Sequence, residues 1–367
     1  MIWWRHWLVV LLTNFALAGV LRLGVPEQPA FSDFNAYDYV GRHGLEPDCG
    51  YSVYCYRVLV PVALAQLPGP PEARWRTAGV ISISLAGFVT ALATATLTPA
   101  WQAPLLATLV AQLSFGFTYT AYDPYSPDSM VFLLAALLLL AWLRQRPWAA
   151  LGLSAIGVFA KETVALVAVS AGLAAILRRR DARWRLWIAQ AITASAILLA
   201  FHWIMDTYAG WGISENVASK FSAGSWLAVW LENMDGPARI AFLLFTPFAF
   251  AWLYAAIDFR VAPDRLRSLA LGALIPMLAL NYVQNPERAL ANAFFVVVPL
   301  TAVFLSRVSP AAGFAAAITN GLLTARVGLS TAWLPSTRIL LVPALAAAVW
   351  AVWTYQSHAS LERQRGL

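Results

Sequence analysis

An all-α polytopic membrane protein of about twelve transmembrane helices, with a long first extracytoplasmic loop, is the fold class this sequence predicts. Two observations carry that expectation. Hydrophobic residues make up 60% and charged residues 12% of the 367, against roughly 45–50% and ~25% in soluble domains. The apolar residues also fall in long runs, and mean hydropathy is +0.65. Disorder is excluded, because disordered chains are poor in apolar residues and rich in charge. A soluble globule is excluded too, since so few charges cannot cover its surface. The formal charge of +7 does not point to nucleic acid, because no basic stripe with interleaved aromatics occurs; surplus Arg in a membrane chain marks cytoplasmic loops.

A crossing helix needs about 20 apolar residues, with a range of ~17–25. Runs of this kind begin near Trp7, Thr77, Pro104, Ser129, Trp148, Thr163, Leu186, Ala238, Ser268, Ala291, Ala311 and Ile339. The runs at 148–160 and 163–177 are short and separated only by Lys161-Glu162. Between the first and second runs lies a polar stretch, 24–76, read as the first extracytoplasmic loop. Within it Val58–Leu67 is apolar but too short to cross, and it contains Pro61; it reads as an interfacial helix. Residues 206–237 form a second extracytoplasmic segment in which Trp226 to Leu231 would lie along the interface, with Trp211, Trp226 and Trp230 as membrane-belt anchors. His202, at the end of the seventh run, reads as packed or interfacial. Residues 1–367 make one integral membrane domain, with no internal repeat.

Orientation follows from the basic residues. Lys occurs only at Lys161 and Lys220; the rest are Arg. With the N-terminus inside, the cytoplasmic loops receive Arg5, Arg144, Arg146, Arg178, Arg179, Arg180, Arg183, Arg185, Arg260, Arg265, Arg267, Arg307, Arg363 and Arg365, more than half of the 25 basic residues. Both termini are then cytoplasmic. The first run also has the form of a signal peptide, with Ala16-Leu17-Ala18 as a cleavage site; an uncleaved helix is preferred because the apolar run continues past it. The two cysteines, Cys49 and Cys55, fall together in the first loop. A disulfide between them suits an oxidising compartment, and two unpaired thiols are the other reading.

Ionisable groups at membrane depth are expensive and mark function. Here they gather on the extracytoplasmic side. The first loop carries Asp33, Tyr37, Asp38, Arg42 and His43, then Tyr56-Arg57-Val-Leu-Val-Pro61. Between the third and fourth runs comes Tyr122-Asp123-Pro-Tyr125-Ser-Pro-Asp128, then Lys161-Glu162, and much later Asn285-Pro-Glu287-Arg288. Each has a plainer reading: Asp33 as a helix N-cap, Asp123 and Asp128 as turn residues, Lys161 paired with Glu162, Arg288 paired with Glu287 or snorkelling, and Arg57 anchoring the interfacial helix. Adjacent residues on a helix do not face each other, so a Lys161–Glu162 pair would need a third partner.

In its order of motifs the chain resembles the GT-C membrane glycosyltransferases, the superfamily of protein O-mannosyltransferases and the aminoarabinose transferase of lipid A. The likeness rests on a first helix, a long loop opening with Asp33-Phe-x-x-Tyr37, then Tyr56-Arg57-Val-Leu-Val-Pro61, the acidic loop at 120–128, Ala160-Lys161-Glu162-Thr163 between two short helices, and Glu287-Arg288 before a late apolar helix. It spans roughly residues 1–305. The resemblance implies transfer of a sugar from a polyprenyl-phosphate donor to a hydroxyl of a lipid, glycan or protein acceptor, on the extracytoplasmic face of a bacterial inner membrane, by direct displacement with inversion. Asp33 matches the position of the family's base, with Asp38 the runner-up; an Asp in a partly dry pocket can take the acceptor proton. Asp123 would orient the acceptor or help hold a metal. Lys161, Arg57 and Arg288 would hold the phosphate, whose charge grows as the sugar leaves. Tyr37, Tyr122, Asp128, Glu162 and Glu287 complete the expected substrate site. No Asp-x-Asp pair is present, so a divalent ion is open but not indicated. Partners are the lipid-linked donor, the acceptor and membrane lipids, not nucleic acid.

Two other classes compete. A secondary transporter of a small polar or anionic solute would show repeats and broken helices at mid-membrane, and only the 148–177 break resembles one. A membrane polysaccharide polymerase or ligase would use similar lipid carriers, with its largest loop expected later in the chain.

Overall fold

The computed structural model describes residues 3–23, 25, 32–46, 49, 54–179, 181–211, 225–279, 286–329 and 334–364. Lys220 and Asn285 lie outside them. Among the described residues every regular element is helical.

The apolar runs fold as expected in kind. The first is α1 (Trp3–Leu23), and the loop that follows contains α2 (Ser32–His43) and the short α3 (Leu59–Ala65). Val58–Leu67 therefore does form a helix too short to cross. Then come α4 (Pro71–Ala95), α5 (Ala103–Gln112), α6 (Phe115–Tyr122), α7 (Asp128–Leu143), α8 (Pro147–Gly157), α9 (Thr163–Leu177) and α10 (Trp184–Tyr208). The rest are α11 (Ser225–Asn233), α12 (Pro237–Phe248), α13 (Ala251–Asp258), α14 (Asp264–Ala279), α15 (Pro286–Leu290), α16 (Phe294–Leu305), α17 (Pro310–Leu329) and α18 (Thr337–Gln364).

The expected number of crossings is not confirmed. Among the described residues five continuous helical stretches are long and apolar enough to span a membrane: Trp4–Leu23, Pro71–Ala95, Trp184–Tyr208, Pro286–Leu305 and Thr337–Ser357. The bent pair α12–α13 makes a sixth if it is one span. Twelve crossings are not established: breaks divide some of the other runs, and α7 and α14 are continuous but only 16 residues each. The third run stops at Leu113-Ser114 and restarts as α6; the fifth and sixth are the 11-residue α8 and 15-residue α9.

One break has a clear cause. Pro247 lies inside α12, and its ring removes a helical N–H. Ala249 follows with φ 45°, and α12 and α13 meet at 85°. Asn320 of α17 bridges the gap: its Oδ1 accepts from Phe250 N–H at 2.8 Å, and its Nδ2 donates to Phe248 O at 3.2 Å. Freed backbone groups at membrane depth need such partners.

Helix α16 is apolar all round and buried along its whole length, the signature of a central helix. Around it α4 packs on α1, α5 and α7; α9 on α10 and α14; α17 on α6 and α18. The outer faces of α1, α10 and α18 expose Leu12, Val20, Ile192, Leu199, Ile339, Val342 and Trp353, as lipid-facing helices do. Where α1, α4 and α5 meet, Asn14 donates to Thr108 Oγ1 at 3.0 Å and accepts from Gln112 Nε2 at 2.8 Å. Gly87 of α4 faces both side chains and leaves them room that a Cβ would take. Small residues and side-chain hydrogen bonds are the usual cement between helices in lipid.

The bundle has two chemically different ends. Helix α7 starts at Asp128 and ends beside Arg144, roughly 24 Å apart at ~1.5 Å per residue. At the Arg144 end, Arg265 donates to Leu143 O at 3.0 Å, Trp142 Nε1 donates to Arg265 O at 2.9 Å, and Arg183 donates to Gln145 O. Arg307 there meets the buried Asp258 at 2.7 Å. The Asp128 end holds the other polar groups.

Candidate functional site

Four turns converge at the Asp128 end. Pro124 and Pro127 break the chain after α6, so Asp123 closes that helix and Asp128 opens α7. The 158–162 turn between α8 and α9 presents Lys161 and Glu162. The first loop brings α2 and the 54–58 segment, and α15 brings Glu287 and Arg288.

Their side chains form a nearly continuous charged network. Lys161 Nζ lies 2.5 Å from Asp128 Oδ1, and Arg288 Nε 2.7 Å from Asp128 Oδ2. Arg288 also reaches Asp123 Oδ2 at 3.3 Å and Ser126 Oγ at 2.9 Å, and its guanidinium sits 4.7 Å from the Tyr119 ring centroid. Arg57 donates to both oxygens of Glu162, at 2.8 and 3.2 Å, and to the Tyr37 hydroxyl at 3.0 Å. Tyr54, 5.8 Å from Arg57, donates its hydroxyl to Asp33 Oδ1 at 2.6 Å. The rings of Tyr37, Tyr54 and Trp75 pack edge-on and tilted beneath it, and Phe34 lies against Tyr125.

The residues singled out in the sequence fare differently. Asp33, Tyr37, Arg57, Asp123, Asp128, Lys161, Glu162 and Arg288 come together. The plainer pairings do not occur. Lys161 takes Asp128 while Glu162 takes Arg57, as two adjacent residues pointing apart must. Arg288 turns to the aspartates; Glu287 has no bond to the other described residues of the network. Asp38 points elsewhere and pairs with Arg42. It lines a separate cleft of about 320 Å³ between α2, α3 and the start of α4, where Tyr37 is the partition. Tyr122 is one layer back, packed on Tyr119. Cys49 and Cys55 form a disulfide. Among the described residues no group of three or more His, Cys, Asp and Glu could hold a metal ion.

Sequence reading missed one cluster beside the site. Trp211, expected as a membrane-belt anchor, is 1% exposed and donates its indole N–H to Glu46 O at 2.7 Å. His202 stacks on Tyr56 with centroids 3.9 Å apart. The signal was the Tyr56-Arg57 dipeptide, of which only the Arg received a role.

Burial sets the protonation of the loop groups. It pushes the Asp123 carboxyl up, against the pull of Arg288, and Asp123 Oδ1 is buried without a hydrogen-bond partner. It pushes the Tyr54 hydroxyl up to about 12, helped by its bond to Asp33. It lowers Lys161, with Asp128 opposing. A buried cation pair around one carboxylate, an aromatic wall and a carboxylate whose partner among the described residues is a phenol can bind an anion and accept a proton side by side.

Fold and site together define a helical membrane protein with a partly buried charged network at one end of its bundle. The chain belongs to the family described as predicted membrane protein DUF2079, whose profile matches residues 73–357. That match includes Asp123, Asp128, Lys161, Glu162 and Arg288 and begins after Asp33 and Arg57 in the first loop. No curated protein matches the chain.

Proposed function

We propose that this protein is a GT-C-type glycosyltransferase that moves a sugar from a polyprenyl-phosphate donor to a hydroxyl acceptor at the extracytoplasmic end of the bundle. One observation carries the reading. Among the acids of the network, Asp33 is the one whose described partner is a neutral hydroxyl, while Asp123, Asp128 and Glu162 all face cations. A carboxylate locked to an arginine is a weak base; one held by a phenol keeps a lone pair for the acceptor proton. The leaving phosphate would then meet Lys161, Arg288 and Arg57. Lys161 uses one of its three donors on Asp128 and has others to offer. Asp123 would orient the acceptor hydroxyl.

The orientation is supported by the split of charge, with Arg144, Arg146, Arg178, Arg183, Arg265 and Arg307 at the end away from Asp128. The bacterial inner membrane is the proposed location.

The test is Asp33→Asn in purified protein given a panel of radiolabelled polyprenyl-phosphate sugars. Loss of transfer by two or more orders of magnitude is expected for a removed general base, at the low end of roughly 10²–10⁴-fold. Undiminished transfer removes Asp33 from the role, and a parent protein that transfers nothing from any donor removes the reading.

A transporter is the second reading, favoured by two breaks in apolar runs, α8–α9 and α12–α13. Against it, the charged groups sit at one end of the bundle rather than at mid-membrane.

A further inference from the structure

Arg57 is the one cation of the network that comes from a long loop rather than from the end of a bundle helix. Its 37%-exposed partner Glu162 cannot by itself fix a guanidinium on a flexible stem. Something must hold the backbone of residues 55–59. At the C-terminal side, Leu59 N–H donates to Phe159 O at 3.0 Å, which ties the loop to the turn that carries Lys161 and Glu162.

At the N-terminal side the hold is larger. Cys55 is fully buried and bonded to Cys49. Tyr56 is 4% exposed and inserts between Phe201, His202 and Trp211 at the end of α10. Its hydroxyl lies on the Asp206 carboxylate and 2.9 Å from Trp211 O, so its single hydrogen serves one of two acceptors. Trp211 in turn donates to Glu46 O, just beyond the end of α2 in the same loop. The disulfide, Val40 of α2, Met205 and Ala209 close the cluster.

We infer that Tyr56, anchored by Asp206 and the Cys49–Cys55 disulfide on the end of α10, is a positioning residue that sets Arg57 onto Glu162 and Tyr37. The two residues share a tight turn, closed by Arg57 N–H donating to Tyr54 O at 3.1 Å, in which Tyr56 faces the end of α10 and Arg57 faces Glu162 and Tyr37, so the seat of one fixes the direction of the other. The inference deepens the proposed function by naming what fixes one phosphate-binding arginine. Its structural part stands without that function.

Two measurements test it. The first needs no substrate: a thermal-unfolding cycle of Tyr56→Phe, Glu162→Gln and the double variant in detergent. If Tyr56 sets the Arg57–Glu162 pair, Glu162→Gln lowers the midpoint by about half as much, or less, in the Tyr56→Phe protein as in the parent, since coupled neighbours are non-additive. Full additivity overturns the inference, whatever the protein's activity. The second is kinetic. Tyr56→Phe and Asp206→Ala should each lower kcat/KM for the lipid-linked donor roughly ten-fold, the scale of a hydrogen bond to a charged group. Asp206→Asn, which keeps an acceptor oxygen, should restore most of it. In an Arg57→Lys background Tyr56→Phe should add less than about two-fold. Equal losses in both backgrounds overturn positioning through Arg57. A coupled thermal cycle in a protein that transfers no sugar instead leaves the positioning intact and removes the enzymatic reading.

Discussion

Asp128 is the keystone of the charged network, and removing it has a calculable cost. Its side chain is 11% exposed and lies between Lys161, 16% exposed, and Arg288, 20% exposed. Asp128→Ala leaves two cations in a site with little water. Deleting one partner of a buried pair costs about 3–5 kcal/mol. Arg288 keeps Asp123 at 3.3 Å and Ser126 at 2.9 Å, so most of the loss belongs to Lys161, and the lower half of that range is expected. At about 2.1 cal/mol/K of unfolding entropy per residue, each kcal/mol shifts the midpoint of a 367-residue chain by roughly 1.3 °C, which gives a drop of about 4–5 °C. The assay is tryptophan fluorescence during thermal unfolding in one detergent. Lys161→Met combined with Asp128→Ala should recover much of the loss, because the stranded ammonium is gone. A drop near zero for Asp128→Ala, or a double variant equal to the sum of the singles, refutes the keystone role.

Burial raises the Asp123 pKa in the fold above the ordinary 3.8, so the folded state holds that proton more tightly than the unfolded one. Stability then falls as pH rises through the raised value; Asp123→Asn should be as stable as the parent or more so at pH 7, with the gap closing towards pH 4, as read by thermal midpoints across that range. Asn320→Ala strands the Phe250 N–H and Phe248 O at the α12–α13 bend and should cost about 1–3 kcal/mol in urea or thermal unfolding, whereas the same change at the exposed Gln66 should cost close to nothing. Gly87→Val drives a branched side chain into Asn14 and Gln112 and should lower the yield of folded protein in size-exclusion chromatography. A fluorescent-protein fusion to the C-terminus should glow if that end is cytoplasmic, and a dark fusion with full-length expression would invert the proposed orientation.

Much of this was legible from composition and order. The apolar runs located nearly every bundle helix, because a lipid-facing or buried helix cannot hide its hydrophobic length. Val58–Leu67 was readable as non-crossing from its length and Pro61. The number of crossings was not, since a run's hydropathy does not report a break such as Leu113-Ser114, and the partner that makes the α12–α13 bend tolerable, Asn320, lies far along the chain in α17. The site residues were visible as scarce charges in apolar surroundings, but their pairings were not. Lys161 has Glu162 beside it in sequence and Asp128 beside it in space, and Arg288 likewise passes over Glu287 for Asp123 and Asp128. Tyr56 and Trp211 were missed for a related reason. An aromatic residue next to a membrane reads as a belt anchor, and only tertiary contact shows that it is the floor of a loop.

The pairing pattern bears on how such a pocket could handle a phosphate. Lys161 and Arg288 do not wait as free cations; both are already oriented by Asp128. Charges fixed before the substrate arrives need no reorganisation when bond breaking puts further charge on the phosphate, and that is where electrostatic stabilisation is largest. The same carboxylate weakens ground-state attraction for an anion, since part of the cationic field is already neutralised. In the proposed transferase, a site built this way would bind a resting phosphodiester loosely and answer most strongly when the anomeric bond opens and the leaving oxygen gains charge. Asp33, whose partner among the described residues is the Tyr54 hydroxyl, would be the group to take the acceptor proton at that moment. Asp33→Asn should therefore depress kcat with little change in donor KM, while Lys161→Met should depress kcat more than it raises KM. A Lys161→Met protein whose defect lies wholly in KM would mean that the cations serve ground-state binding alone, and the pre-oriented pairing would have no catalytic meaning.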